Sequence, residues 1–288
     1  QVSWYRNYGE ALSEAAKTKK PVLILFQEVP GCATCRNYGH NVLSHPLMVD
    51  AISHEFVPLA IFNNNGGEDK KILQKYNEPT WNNPVVRIVD AGGKDLVNRV
   101  SGNYSALGLL EAMEKALFEA GKPIPGYLQV MREELTAAAR GNVQEAYFQM
   151  YCFWSGEGHL GKADGIVATE PGFMSGHEVV KVRYDANVTS SDKLSNHAQK
   201  AGCKPISAHK SYRPDKDPQY YLKHSAYKYL PLTDLQKSRV NSALGKGGNP
   251  AFFLSPTQKR WLAAAQKRNS GTALYTKGFL AAWRECKL

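Results

Sequence analysis

Lys122-Pro123-Ile124-Pro125-Gly126 divides this chain. Two prolines and a glycine within five residues cannot continue a helix, because proline lacks the backbone N–H the helix ladder needs and its ring clashes with the preceding turn. The helical stretch Tyr104 to Ala120 must therefore end. A boundary between two domains is expected here, with residues 1–121 and 127–288 on either side of a linker at 122–126. A chain of 288 residues with 43% hydrophobic content suits two domains of ordinary size, each with its own core. No apolar run approaches the roughly 20 residues that cross a bilayer. Pro21 to Phe26 accordingly reads as a buried strand, and no membrane insertion is expected.

The two parts differ in charge. Through Pro125 there are 13 Lys+Arg and 13 Asp+Glu; beyond it there are 23 and 13, so the whole net charge of +10 lies in the second part. A basic half attracts anionic partners. Its lysines and arginines are dispersed, however, without zinc-finger spacing or an aromatic RNA-binding signature. They read as a solvated surface, and no nucleic-acid partner is expected. Gln1 stands where an uncleaved chain has Met, and no charged start, apolar core and cleavage site follow it. The expectation is an exported protein, periplasmic or extracytoplasmic, whose signal peptide has been removed, although a trimmed chain gives the same start. Five cysteines leave at least one thiol unpaired within a monomer.

Ala11 to Lys17 has the pattern of an amphipathic helix, and Pro21-Val-Leu-Ile-Leu-Phe26 that of a buried strand, which together indicate an α/β layer. Val29-Pro30-Gly31 breaks the strand, and Cys32 to Leu43 reads as the next helix. Cys32 then sits at its start, where unpaired amides and the positive end of the dipole favour thiolate. That makes Cys32 the attacking sulfur of Cys32-Ala33-Thr34-Cys35, and Cys35, one turn further in, the resolving one. Phe56 to Phe62 follows as a second buried strand, Lys70 to Tyr76 as a short helix, and Asn83 to Asp90 as a third strand. Ala91-Gly92-Gly93 then suggests a hairpin turn with Lys94 to Val100 as the return strand.

This order resembles the thioredoxin-like superfamily, in particular members with a strand, a CxxC and a later proline that opens a strand. The resemblance implies a cis peptide bond at Pro84 facing Cys32 and Cys35. Ala33-Thr34 departs from the Gly-Pro between the cysteines of thioredoxin itself. The bland alternatives for the pair are a zinc half-site or a structural disulfide; with no second pair at finger spacing, zinc has little support.

Beyond the linker, Tyr127 to Arg140 reads as helix with Gly141-Asn142 as its stop, and Glu145 to Tyr151 as a strand. The chain then runs Tyr151-Cys152-Phe153-Trp154-Ser155-Gly156-Glu157. Later come Gly165-Ile-Val-Ala-Thr169, Gly172-Phe173, and Gly176-His177-Glu178-Val179-Val180-Lys-Val-Arg-Tyr184-Asp185. These segments resemble the A-type peptide methionine sulfoxide reductases, with their Gly-Cys-Phe-Trp signature and a His/Glu segment leading into a Val-rich strand ending Tyr-Asp. Tyr229-Leu230-Pro231-Leu232-Thr233-Asp234-Leu235-Gln236 resembles that family's Tyr-Pro-Leu-Thr run. The likeness covers roughly residues 144 to 244.

The resemblance implies an α/β thioredoxin-like fold followed by an α+β domain with a ferredoxin-like core. It also implies that Cys152 attacks the sulfur of a sulfoxide and that Glu178 delivers the proton to its oxygen, with Phe153 and Trp154 walling the S-methyl group. A Cys flanked by aromatics and a Glu opening a strand are otherwise ordinary core and surface residues. Tyr151 replaces the family's Gly, which predicts a narrower pocket. Only four residues separate Phe173 from Glu178, where the family has a longer loop bearing one of two tyrosines that hold the sulfoxide oxygen. The other family tyrosine precedes Pro-Leu-Thr, so Tyr227 and Tyr229 are its candidates here, with Tyr220 and Tyr221 less well aligned. Cys203 and Cys286 are candidates to resolve a sulfenic acid on Cys152, Cys203 being slightly favoured, and His177 reads as a loop histidine.

The expected function is a thiol-dependent reductase acting on methionine (S)-sulfoxide, or a related sulfoxide in a peptide or small molecule, at Cys152. Recycling falls to Cys32 and Cys35, with an external thiol as electron donor and no metal or organic cofactor. One rival is a thiol-disulfide oxidoreductase whose second domain has lost this chemistry and binds a peptide or ligand. Another is a soft-metal protein binding Cu(I) through the cysteines with His40, His45 or His177, for which the scattered spacing gives little support.

Overall fold

The computed structural model describes residues 1–207, 211–268 and 271–286, and the chain divides into two units, Gln1–Ile124 and Pro125–Leu288. The first unit runs α1 (Tyr8–Thr18), β1 (Val22–Gln27), α2 (Ala33–Tyr38), a single π turn (Gly39–Leu43), α3 (Pro46–Glu55), β2 (Val57–Phe62), α4 (Gly67–Lys75), β3 (Val85–Val89), β4 (Val100–Ser101) and α5 (Ala106–Glu119). The first five residues of β1 are apolar and all five are buried, with the partly buried Gln27 closing the strand. It lies inside a sheet of order β2-β1-β3-β4, parallel to β2 and antiparallel to β3. Val22, Ile24 and Phe26 share one face and pack with Ala11 and Ala15 of α1 and Ile72 and Leu73 of α4. Leu23 and Leu25 alternate to the opposite face and are equally buried.

The return strand expected over Lys94 to Val100 is reduced to an isolated bridge, Val89 with Asp95, and to β4. Asp90 takes the N–H groups of Gly92 and Lys94 on its own carboxylate, both at 2.9 Å, which makes a side-chain-closed turn. Asp95 then pairs with Arg87, and Arg99 with the buried Glu78. Ion pairs thus add to the few backbone hairpin bonds, Asp90 N–H to the Lys94 carbonyl and Leu96 N–H to the Ile88 carbonyl, both at 2.9 Å. Asn83–Pro84 is cis, and so is Val29–Pro30.

The second unit runs α6 (Gly126–Arg140), β5 (Val143–Gln149), α7 (Phe153–Leu160), β6 (Ile166–Met174), β7 (His177–Asp185), α8 (Ser191–Gln199), β8 (Lys204–Ile206), β9 (Arg213–Pro214), α9 (Tyr220–Lys223), α10 (Asp234–Lys246), α11 (Pro256–Arg268) and α12 (Phe279–Glu285). The succession β5-α7-β6-β7-α8-β8 lies in spatial order β8-β5-β7-β6, with β9 added outside β6. All its pairings are antiparallel, which is the ferredoxin-like arrangement. Alternation along β5 and β7 turns Ala146, Phe148, Val180, Val182 and Tyr184 toward Val130 of α6, Phe153 and Leu160 of α7, Leu194 of α8 and Leu235 of α10. Thr233 and Gln236 close a capping box at the start of α10. A second apolar cluster, including Leu222, Tyr227, Leu230, Val240 and Leu262, anchors the C-terminal helices.

β6 and β7 are joined by Ser175 and Gly176 alone, at φ 52° and 78°, with Met174 opposite His177. Two consecutive residues at positive φ fit the right-handed twist of the flanking strands. The short interval before Glu178 is therefore a tight hairpin, with no loop over the sheet end.

Candidate active site

The loop from β1 delivers Cys32 to the N-cap of α2. A Cβ on Gly31 would come within 3.1 Å of Cys35 Cβ and 3.2 Å of the Glu28 carbonyl, so a larger residue there would press on the loop. The backbone N–H of Cys35 points at Cys32 Sγ, 3.4 Å away, and holds the Cys32 thiol below its ordinary value of 9.0 against the opposing effect of burial. Burial instead pushes Cys35 up to about 11. The two sulfurs are thus differentiated, Cys32 toward thiolate and Cys35 toward thiol. Asn83, which precedes Pro84, faces both: its Oδ1 accepts from Cys35 Sγ at 3.0 Å and lies 3.6 Å from Cys32 Sγ. Cys32, Cys35, Cys152 and Cys203 are all free thiols.

In the second unit, the last residues after β5 are tied to β7 by Met150 N–H donating to the Glu178 carbonyl at 3.2 Å. Cys152 follows as the N-cap of α7, with extended backbone and no hydrogen bond from its own side chain to the helix. The Glu178 carboxylate supplies that bond, taking the Phe153 N–H at 3.0 Å. Cys152 and Glu178 are therefore brought to the same helix start, where the dipole favours negative charge. Phe153 packs edge-on against Phe173 at 5.2 Å and beside Trp154 at 5.4 Å. Trp154 lies flat on Tyr220, with ring centres 4.2 Å apart, and donates its Nε1–H to Asp215 at 3.3 Å.

Tyr220 is thus the tyrosine the structure places beside Trp154. Tyr227 lies instead in the C-terminal apolar cluster, and Tyr229 packs on Gly271. Both lie on the short helical turn Ala226–Tyr229 just before Pro231. Tyr221 is wedged between α7 and α10: Cβ atoms on Gly158 and Gly245 would stand 3.2 and 2.3 Å from its ring. Burial pushes its hydroxyl pKa up, and the charge on Cys152 adds to this. Tyr151 does not narrow the pocket, since its ring is 99% exposed.

Sequence reasoning does not single out Glu157, Gln219 or Asp215. Glu157 sits one turn beyond Phe153 and is fully buried, and loss of hydration pushes its carboxyl well above the usual range. It takes the Gln219 N–H at 2.9 Å and Asn241 Nδ2 at 3.3 Å. These bonds fix Gln219 at φ 56°, the residue that aims Tyr220 at Trp154. A glutamate at core spacing on an otherwise apolar helix face is the signal that could have found it.

Cys203 is wholly buried, its thiol directed at Met150 Sδ at 3.5 Å, and burial pushes it up to about 11. Cys286 is half-buried and caps the end of α12. His177 is exposed beside the β6–β7 hairpin. Among the described residues, no group of three or more His, Cys, Asp or Glu converges as a metal site would require, and no helix is long and apolar enough to cross a membrane.

Residues 3–91 match a family described as thioredoxin-like. The chain is 39% identical over 70 residues to a peptide methionine sulfoxide reductase MsrA of Methanococcus maripaludis, a match spanning 18% of this chain and 45% of that protein. The chain thus spans less than half the length of that curated relative. Among solved structures, a DsbH oxidoreductase is 18% identical over 41% of this chain and 85% of its own, with a TM-score of 0.36. A thioredoxin from Thermus thermophilus is 23% identical over 42% and 90%, with a TM-score of 0.37. The N-terminal unit is a thioredoxin-like domain, and the chain joins it to a unit that resembles the peptide methionine sulfoxide reductases.

Proposed function

We propose that this chain is a thiol-dependent reductase of methyl sulfoxides, methionine (S)-sulfoxide or a related compound, with Cys152 as nucleophile. The observation that carries the reading is the Glu178 carboxylate on the Phe153 N–H, which puts an acid and a thiol at one helix start. Cys152 attacks the sulfoxide sulfur while Glu178, in its protonated form, passes its proton to the sulfoxide oxygen and recovers one from the Cys152 thiol. Phe153, Trp154 and Tyr220 offer the S-methyl group an apolar, polarizable surface. In the net step the Cys152 thiol and the sulfoxide give a sulfenic acid on Cys152 and the free sulfide, so the oxygen passes from one sulfur to the other. Cys152 is oxidised by two electrons and the substrate sulfur is reduced by two.

Cys32 then condenses with the sulfenic acid, releasing water and forming a mixed disulfide. Attack by Cys35 frees Cys152 and leaves Cys32–Cys35 oxidised, to be reduced by an external thiol. Carriage of both sulfur centres on one chain supports this recycling, because tethering raises effective concentration to the millimolar range. Burial leaves Cys203 a poor resolving thiol unless the fold around Met150 opens, so Cys286 is the better candidate for an intermediate step. We place the protein in an exported, extracytoplasmic setting. Its substrates are a sulfoxide-containing peptide or small molecule, read by the open rim at Tyr151.

The tight Ser175-Gly176 hairpin favours a second reading, a thiol-disulfide oxidoreductase whose other unit binds a peptide or ligand without turning it over. Incubation with each enantiomer of a methyl aryl sulfoxide and dithiothreitol separates the two. Enantioselective sulfide formation, with oxidation mapped to Cys152, supports the reductase; disulfide exchange without sulfide supports the second reading.

A further inference from the structure

Ser155 brings a cation to the start of α7. Cys152 is the N-cap of this helix, so Ser155 stands one turn beyond it, about 4.5 Å along the axis. The N-cap and the third helical residue are the two positions whose side chains come together at a helix start. The Ser155 hydroxyl accepts a hydrogen bond from Lys246 Nζ at 2.5 Å. Lys246 is the last residue of α10, where the negative end of the helix dipole favours a cation. Its stem passes over Gly158, where an added Cβ would stand 3.6 Å from Lys246 Cε and 3.2 Å from the Tyr221 ring. The side chain is thus laid along α7 toward Ser155, with its ammonium at the exposed surface.

Among the described residues, no ion pair of this unit includes Lys246. Its partner at Ser155 is neutral, so its charge is left for a ligand. That charge reaches inward to Cys203, where it opposes the upward push of burial on the thiol. A substrate with a carboxylate a few bonds from its sulfoxide sulfur can set that carboxylate on Lys246 while the sulfur lies at Cys152. A methionine sulfoxide inside a peptide has its carboxyl tied up as an amide and offers no such group. We propose that Lys246, held by Ser155, is a specificity-determining residue that selects sulfoxides bearing a nearby carboxylate, such as a free sulfoxide amino acid or one at a chain's C-terminus. The inference rests on the reading of Cys152 as a sulfoxide reductant and names the substrate class of that site. A carboxylate remote from the reacting sulfur is held alike before and during attack, so Lys246 acts on KM and not on kcat.

The test supplies the full chain and its variants with dithiothreitol and a matched pair of (S)-sulfoxides, para-(methylsulfinyl)benzoate and its methyl ester. The ratio of kcat/KM for acid over ester is compared between proteins, so that the reactivity of the two compounds themselves cancels. Lys246→Met is expected to lower this ratio about 5-fold, the upper end for an exposed ion pair, by raising KM for the acid. Lys246→Glu should lower it further and Lys246→Arg restore it, while added salt should lower it in the parent. The same ratio in the parent and in Lys246→Met overturns the assignment, as does an equal fall in Lys246→Arg. Turnover of neither compound by the parent would count against the reductase reading instead. The acid-to-ester preference is then read as dissociation constants by calorimetry on the same proteins, with the same expectation and the same overturning results.

Discussion

Glu178 accepts the Phe153 N–H at 3.0 Å, so its side chain caps the helix that presents Cys152, and the proposed reaction also asks it for a proton. The two duties separate by substitution. Glu178→Gln keeps an acceptor for the amide and is expected to fold with stability within about 0.5 kcal/mol of the parent. It should reduce sulfoxide about 100-fold more slowly. Glu178→Ala also loses the cap, at about 1 kcal/mol in urea unfolding. An unchanged rate in the Gln variant would assign proton delivery to another group.

Cys152→Ser should abolish sulfide formation while insulin or glutathione disulfide reduction by Cys32 and Cys35 continues, since each thiol centre is built from its own unit's residues. Retention of more than about 10% of sulfoxide turnover would remove Cys152 from the nucleophile's role.

Trp154 stacks on Tyr220 at 4.2 Å, and the proposed reaction uses that pair as a wall for the S-methyl group. Tyr220→Ala is expected to raise KM about 5- to 10-fold, in line with an aromatic contact of about 1 kcal/mol. Tyr227→Phe, altered within the apolar cluster, should leave KM unchanged. A steady-state comparison in which Tyr227→Phe has the larger effect would reverse this placement.

His159 on α7 and His197 on α8 stack with ring centres 4.6 Å apart, each Nε2 meeting the other's backbone carbonyl at 3.2 and 3.1 Å. Burial, with the positive neighbours His197, Lys162 and Lys246, holds His159 below its ordinary value of 6.5. The unfolded chain therefore takes up a proton that the folded chain refuses, so this contribution is whole above about pH 7 and falls away as pH drops through about 6.5. Urea unfolding at pH 7.5 and 5 should show a smaller pH-dependent loss for His159→Gln than for the parent. Equal losses would mean the pair does not act as a pH-sensitive clasp.

Local chemistry makes part of this structure legible. The apolar run of β1 ended by Val29-Pro30-Gly31 announces a strand, a sharp loop and a helix capped by Cys32, because each step depends on neighbouring residues. α3 escapes a sequence reading, although Pro46 at its first turn and buried Leu47, Met48, Ala51 and Ile52 mark a helix once its burial is known. Lys94 to Val100 carries a hairpin signal that the backbone bonds of Asp90 with Lys94 and of Leu96 with Ile88 follow, while the ion pairs with Arg87 and Glu78 that accompany them leave no local pattern. Tyr220 reaches Trp154 from far along the sequence because Glu157 holds the residue before it and Asn241 the Leu222 N–H after it. Tyr227 and Tyr229 carry the stronger motif context, yet a motif fixes order along the chain and not the direction of a ring. Cys203 looks like a resolving thiol by position, while its burial against Met150 is a property of the assembled core.

The relay from Cys32–Cys35 to Cys152 is tested most directly by a stoichiometric burst. Fully reduced chain, freed of external thiol, is mixed with excess sulfoxide; sulfide is counted per chain and each cysteine mapped by mass. The account predicts that the parent forms about one more mole of sulfide per mole than Cys32→Ser does, with the additional oxidation found as a Cys32–Cys35 disulfide. An equal burst in both proteins, with Cys32 and Cys35 still reduced in the parent, would contradict it and leave two independent thiol centres on one chain.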